Sequence, residues 1–236
     1  MNKQSNVYTV IYIIVLVLIV GTGLALAALS LKSRQTANAD NDKRRQILAS
    51  VGVTVSPDEI DGEFIRLIVS QIVINEAGDS IGDNAFAVDV KNQSKVPADK
   101  RLLPLYVCKI DGSTKYIIPL YGAGLWGPLW GYVSLNENCS TIYGAFFDHE
   151  GETPGLGAEI TKPEFYGQFK GKELFKNGQF LPVAVVKKGQ KPAGDEDYVD
   201  GISGGTITSK GVGAMLDSSL TLYKAYLNQL GEKTNN

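Results

Sequence analysis

The chain of 236 residues contains one histidine, His149. That scarcity removes most hydrolytic chemistry. A zinc-protease arrangement needs two histidines on one helix face. His149-Glu-Gly-Glu152 has neither the partner nor the spacing, and Pro154 would break such a helix. Gly201-Ile-Ser-Gly-Gly205 fits the G-x-S-x-G pattern of a hydrolase nucleophile elbow. That fold takes its base from a histidine after the serine, and His149 lies before it. Cysteine is nearly as rare. Cys108 and Cys139 are too few and too far apart for a metal site or a Cys-x-x-C pair. They are compatible with a disulfide if the domain lies outside the cytoplasm, and equally with two unpaired buried thiols. Charge of one sign is also missing. With 23 basic and 25 acidic residues the net charge is −2, which leaves no electrostatic footprint for nucleic acid. There is no internal repeat and no long low-complexity tract. What remains, at 44% hydrophobic and 20% charged, is a folded protein rather than a disordered one.

Between Lys3 and Lys32 no charge occurs at all. Val10 to Val20 is almost purely aliphatic, and Gly21 to Leu31 stays small and apolar. A membrane-spanning helix needs roughly 20 such residues, whereas a signal peptide has an apolar core of about 7–15. The length therefore predicts an uncleaved anchor over residues 1–31, although Ala25-Leu-Ala27 resembles a small-residue cleavage site. Lys32, Arg34, Lys43, Arg44 and Arg45 follow the span and only Lys3 precedes it. By the positive-inside rule, that asymmetry keeps the large domain in the cytoplasm.

Residues 32–60 read as a linker: polar and small from Lys32 to Asp42, then a short helix from Asp42 with a stop near Gly52. From 61 to 236 the pattern predicts one α+β domain. Glu63–Ile74 is rich in β-branched residues, with a helix as the alternative. Ala85–Val90 alternates like a half-buried strand. Arg101–Lys109, Thr114–Tyr121, Trp130–Leu135, Thr141–Phe147 and Leu181–Val186 also read as strands, with Asp111-Gly112 as a hairpin turn. The chain closes in a helix whose apolar face runs from Val212 through Met215, Leu216, Leu220, Tyr223 and Leu227 to Leu230, with Gly231 as a plausible stop. The expected fold is thus an N-terminal transmembrane helix, an antiparallel-rich sheet and a C-terminal helix.

Gly122-Ala-Gly-Leu-Trp-Gly127 fits the G-x-G-x-x-G dinucleotide pattern. That motif requires a helix directly after it to hold the pyrophosphate. Pro128–Leu135 reads as a strand, so a glycine-rich hairpin exposing Trp126 is the better reading. Three glycine-rich stretches then remain: Leu125-Trp-Gly127, His149–Gly157 and Asp200–Ser209. The last is a hydroxyl-bearing turn before a helix, suited to holding a phosphate. Gly204 and Gly205 keep the approach to Thr206 open. Composition alone favours a plainer turn, in which Thr208 or Ser209 caps the helix.

Asp200-Gly-Ile-Ser-Gly-Gly-Thr206 resembles the flavinylation motif of the FMN-binding domain family, with Gly205 where that motif usually has alanine. Glu152-Thr-Pro-Gly-Leu-Gly157 resembles the family's second signature. Gly124-Leu-Trp-Gly127 followed by Trp130-Gly131 resembles the C subunits of sodium-translocating NADH:quinone reductases. The resemblance implies a covalent FMN, joined to Thr206 as a phosphoester by a dedicated flavin transferase. Ser203, Gly204 and Gly205 would flank the attachment. Trp126 and Leu156 would form the flavin's apolar wall, and Glu152 and Thr153 would face the ring edge. It further implies electron relay among the other subunits of the complex, coupled to sodium export. It implies, too, that no complete active site lies on this chain alone. The FMN domain would sit on the periplasmic side of a bacterial inner membrane, against the charge count. Two alternatives stand beside it: the G subunit of the related Rnf complex, and a membrane-anchored binding module without redox function.

Overall fold

A computed structural model describes residues 6–234. Residues 1–5, Lys3 among them, and 235–236 lie outside the described residues, and side chains beyond 232 are likewise undescribed. The chain divides into two compact units, residues 1–43 and 44–236.

The first described element, helix α1 (Asn6–Ala49), begins in the first unit and ends in the second, and it carries the apolar run on an exposed surface from Val7 to Leu31. It is long and apolar enough to cross a membrane. The expected linker differs from the structure, because α1 continues without a break to Ala49. Lys32–Asp42 is polar but holds no glycine or proline, and its Lys, Arg, Gln and Ala are good helix formers. Polarity alone read as a connector; propensity carries the helix through. The expected stop holds. Gly52 takes φ +76, and the N–H groups of Gly52 and Val53 close onto Ala49 and Leu48 carbonyls.

The second unit follows. Helix α2 (Ile60–Leu67) leads into β1 (Ile68–Ile74) and β2 (Ser80–Gly82). The Glu63–Ile74 stretch is therefore half helix and half strand. A 3-10 turn at Ala85–Ala87 and the short α3 (Val90–Gln93) come next, then β3 (Leu103–Ile110), β4 (Ser113–Ala123), β5 (Pro128–Leu135) and β6 (Ile142–His149). After β6 lie α4 (Pro163–Tyr166), β7 (Phe175–Lys176), β8 (Gln179–Phe180), β9 (Ala184–Val186), β10 (Tyr198–Asp200) and α5 (Thr206–Thr234).

The strand expected at Ala85–Val90 is absent. Asp89 instead caps α3, its carboxylate accepting from the Lys91 N–H at 3.0 Å, and the apparent alternation comes from Ala85 and Val88 turning inward three residues apart. Leu181–Val186 is strand only from Ala184, since Pro182 cannot join a ladder. Gly231 does not stop α5, which runs to Thr234.

Strands β2-β1-β3-β4-β5-β6 form one antiparallel sheet in that order. Asp111 and Gly112, both at positive φ, make the β3–β4 turn. Alternate residues feed two cores. On one face Leu105, Ile118, Leu120, Val133 and Phe147 pack against α5 through Val212, Met215, Leu216 and Leu220. On the other face Tyr106, Cys108, Ile117 and Phe146 pack with Phe64 and Leu67 of α2 and with Ile47, Leu48 and Val51. The end of α1 is thus part of this unit's core. Ser134 Oγ donates to the Ser50 carbonyl at 2.6 Å, and Trp130 Nε1 donates to Gln46 Oε1 at 3.1 Å. Arg44 pairs with Asp61 and lies over the Phe86 ring, and Arg45 lies over Phe146.

The two cysteines are free and buried on opposite faces of the sheet, Cys139 in the first core and Cys108 in the second. The disulfide alternative is therefore excluded by geometry. Burial pushes the Cys108 thiol up to about 11 and the Cys139 thiol up to about 12. Both remain protonated at pH 8, and the thiolate is the reactive form. A thiol reagent at pH 8 should modify neither cysteine in the native protein and both after denaturation. Rapid native labelling, read by mass, would contradict this.

Candidate functional site

The three glycine-rich stretches meet at one end of the sheet. The first is the tip of the β4–β5 hairpin, closed by Gly124 N–H donating to the Gly127 carbonyl at 2.8 Å. The dinucleotide pattern there is the tight hairpin its sequence suggested. Trp126, at the tip, is 68% exposed. The second leaves the end of β6 at His149, which pairs with Leu129. The third, residues 200–205, leads into α5. It is pinned by Gln168, which donates to the Asp200 carbonyl and accepts from its N–H at 2.9 Å, and by Gly201 N–H donating to Val186 O.

Glu152 ties the three together. Its side chain is buried, and Oε1 accepts from the Trp126 N–H at 2.9 Å. Oε2 accepts from the Thr208 hydroxyl at 2.5 Å. Its own N–H donates to His149 Nδ1. Burial alone would raise the Glu152 carboxyl. The hydrogen bonds from Thr208 and the Trp126 and Leu125 amides, with the field of His149, outweigh it and hold the group below the usual carboxylate range. Gly124 and Gly157 enclose the carboxylate: a Cβ at either would collide with its oxygens. Glycine is needed there for close approach.

The geometry places Thr206 in the first turn of α5, exposed and outside this buried knot. Ser203 and Gly204 are exposed beside it, and Gly204 takes φ +80. Gly205 is buried against the Leu156–Gly157 backbone. Leu125, Trp126, Leu156 and Ile207 are exposed apolar residues on the joined segments. Thr153 is exposed in the same loop, and its carbonyl accepts from the Leu156 and Ala158 amides. Of the residues expected at a flavin, all except Glu152 and Gly205 therefore have free faces. The Glu152 carboxylate is already occupied by protein donors and does not stand at an open edge.

Thr208 and Ser209 are not helix caps. Thr208 is 1% exposed and spends its hydroxyl on Glu152. Ser209 Oγ accepts from the Ile202 N–H at 2.9 Å, which ties the loop back onto the helix.

Sequence reasoning missed a second wall. On the other side of Thr206 lies a cleft of about 580 Å³ lined by Ser203, Thr206, Lys187, Lys188, Lys191 and Lys210. The signal was present as Lys187-Lys-Gly-Gln-Lys191, a basic run in an otherwise balanced chain. Chemically, the arrangement offers an accessible hydroxyl at a helix N-terminus, cations to one side and an apolar rim to the other. It suits an anionic, flat, partly apolar ligand.

Comparison with known proteins agrees. Residues 124–221 match the FMN-binding domain family. The chain is 34% identical over 195 residues to the C subunit of the Na(+)-translocating NADH-quinone reductase of Vibrio vulnificus strain YJ016, covering 75% of this chain and 76% of that one. Its structure resembles the crystal structure of the corresponding C subunit from Parabacteroides distasonis with a TM-score of 0.79 at 53% identity, over 84% of this chain and 96% of that one. A Shewanella oneidensis NqrC structure matches with a TM-score of 0.69 at 27% identity, over 82% and 98%.

Proposed function

The chain belongs to the family of Na(+)-translocating NADH-quinone reductase C subunits, and on that footing we propose that it is an electron-transfer subunit of such a complex, with FMN esterified through its phosphate to Thr206. The observation that carries the attachment is the placement of Thr206. It is an exposed hydroxyl in the first turn of a 29-residue helix, between the lysine-lined cleft and the apolar rim. The first-turn N–H groups lack intrahelical partners and point toward an anion held there. Lys188 and Lys210 add counter-charge. A cleft of this size lies within the usual range for a cofactor site.

Bound FMN supplies the electron chemistry; this chain supplies position and surroundings. Trp126 and Leu156 present the apolar surface against which an isoalloxazine would lie. Thr206 holds the cofactor in place by a covalent bond from one turnover to the next. No residue needs to act as acid, base or nucleophile during electron relay, and NADH and quinone are expected to bind on other subunits. Those subunits and, during maturation, a flavin transferase are the expected partners. The relatives do not favour the Rnf G-subunit reading.

The anchor would hold the FMN domain on the periplasmic side of a bacterial inner membrane. Two of the five basic residues that argued for the cytoplasm are part of the folded unit: Arg44 serves Asp61 and Phe86, and Arg45 serves Phe146. That leaves Lys32, Arg34 and Lys43 against Lys3, a smaller asymmetry than the full count, and the periplasmic reading rests on the resemblance to the family.

The test is mass spectrometry of the tryptic peptide ending at Lys210, from full-length protein made together with the transferase. A flavin phosphate mass on Thr206 is expected. Its absence from the whole peptide would leave only the non-redox binding module. A second expectation concerns the rim. Trp126→Ala should keep the covalent flavin but alter its visible absorbance or midpoint potential, because the exposed indole loses its contact with the ring. An unchanged spectrum and potential would remove Trp126 from the flavin's surroundings.

A further inference from the structure

We propose that Glu152 is a positioning residue of the flavin site, clasping the three loops that build it, and that its negative charge lowers the midpoint potential of a flavin carried on Thr206. The second half rests on the reading of Thr206 just given; the first half stands without it.

The clasp is visible in the donors. One carboxylate holds the hairpin tip through the Trp126 N–H, and the first turn of α5 through the Thr208 hydroxyl, while its own backbone belongs to the third loop. Each of these segments bears a residue facing the site: Trp126, Leu156 and Thr206. Without the carboxylate, the Trp126 amide and the Thr208 hydroxyl lose a buried acceptor. A side chain at Gly124 or Gly157 would take the space of this carboxylate. A buried ionic acceptor shared by three segments fixes their relative placement more narrowly than exposed apolar contacts do.

The charge has a second consequence. The carboxylate is bonded to the amide of Trp126, the residue proposed to lie against the flavin, and to Thr208 in the helix turn that begins at Thr206. The knot is buried, and screening by water is weak there. Adding an electron to a flavin near a fixed negative charge is less favourable, which lowers the potential. Lys188 and Lys210 stand in solvent across the cleft and oppose this effect weakly.

Glu152→Gln separates the two roles. The amide oxygen still accepts from Trp126, and the Thr208 hydroxyl can turn to accept from the amide nitrogen. Full-length E152Q, made with the transferase, should carry covalent flavin to the same extent as the wild type and melt within a few degrees of it. Its midpoint potential, read by spectroelectrochemical titration, should rise. Thr208→Val, which keeps the charge, should not raise it. An E152Q potential equal to the wild-type value would overturn the electrostatic half. The clasp is read without flavin. In a T206V background, Glu152→Ala should speed hydrogen exchange at the Leu125 and Trp126 amides at least tenfold, and E152Q should not. Unchanged exchange in E152A would overturn the clasp. If the wild-type chain takes no flavin mass at all, the Thr206 reading and with it the electrostatic half fail, while exchange still decides the clasp.

Discussion

Thr206→Val should yield a folded protein with no covalent flavin. Valine matches threonine in size and lacks only the hydroxyl, the sole atom able to form the ester. The side chain is exposed and makes no hydrogen bond on which the described fold depends, so the cost in stability should be within about 0.5 kcal/mol, as for ordinary surface changes. Thr208→Val is the informative contrast. Its hydroxyl is buried and bonded to an ionised carboxylate, so its loss should cost about 1.5–3 kcal/mol. The flavin should nevertheless remain, because a hydroxyl 1% exposed cannot receive a bulky phosphoester. Fluorescence of the denatured protein in a gel reads both variants, since a covalent flavin stays with the band. Flavin retained by T206V, or lost by T208V with the fold intact, would move the attachment site.

A chain beginning at residue 32 should remain folded and leave the membrane, whereas one beginning at residue 52 should not fold. The difference lies in the end of α1. Ile47 and Leu48 are wholly buried and Val51 nearly so. Burying such side chains is worth roughly 1.5–3 kcal/mol each, so their removal forfeits on the order of 5–9 kcal/mol. Domain stabilities are typically about 5–15 kcal/mol. The longer cut also strips the acceptors of Ser134 and Trp130. Thermal unfolding followed by circular dichroism distinguishes the outcomes. A cooperative transition in the shorter chain would show that the end of α1 is dispensable. Tight membrane association of the chain lacking residues 1–31 would show that the first helix is not the anchor.

Much of this was readable from local pattern. Asp111-Gly112 has the one conformation that turns β3 into β4, and the three-four spacing from Val212 to Leu230 gives α5 its buried face. What escaped depended on tertiary context. Residues 32–49 are polar enough for a linker, and only the burial of Ile47 and Leu48 against the sheet reveals a core element. Ala85–Val90 alternates for reasons unrelated to a ladder. At the site, the motifs marked Thr206, Trp126 and Glu152, but no pattern says that the Glu152 carboxylate turns inward to protein donors instead of facing a ring edge. That depends on where Thr208 and the hairpin tip arrive, from segments 56 and 26 residues away along the chain. The lysine wall likewise exists only because β9 and β10 bring residues 187–191 beside α5.

The two sheltered sulfhydryls make this chain a ready host for site-directed probes. Both native thiols are sealed in the cores and held in their unreactive form. A cysteine placed on an exposed position, such as Thr153 or Ser203, would be the only side chain to react with a maleimide dye or spin label near neutral pH. No background substitution would be needed, and the natural interior would stay intact. A fluorophore at such a position would sit at the rim of the proposed flavin, where energy transfer to the isoalloxazine would register each change in its oxidation state as a change in brightness.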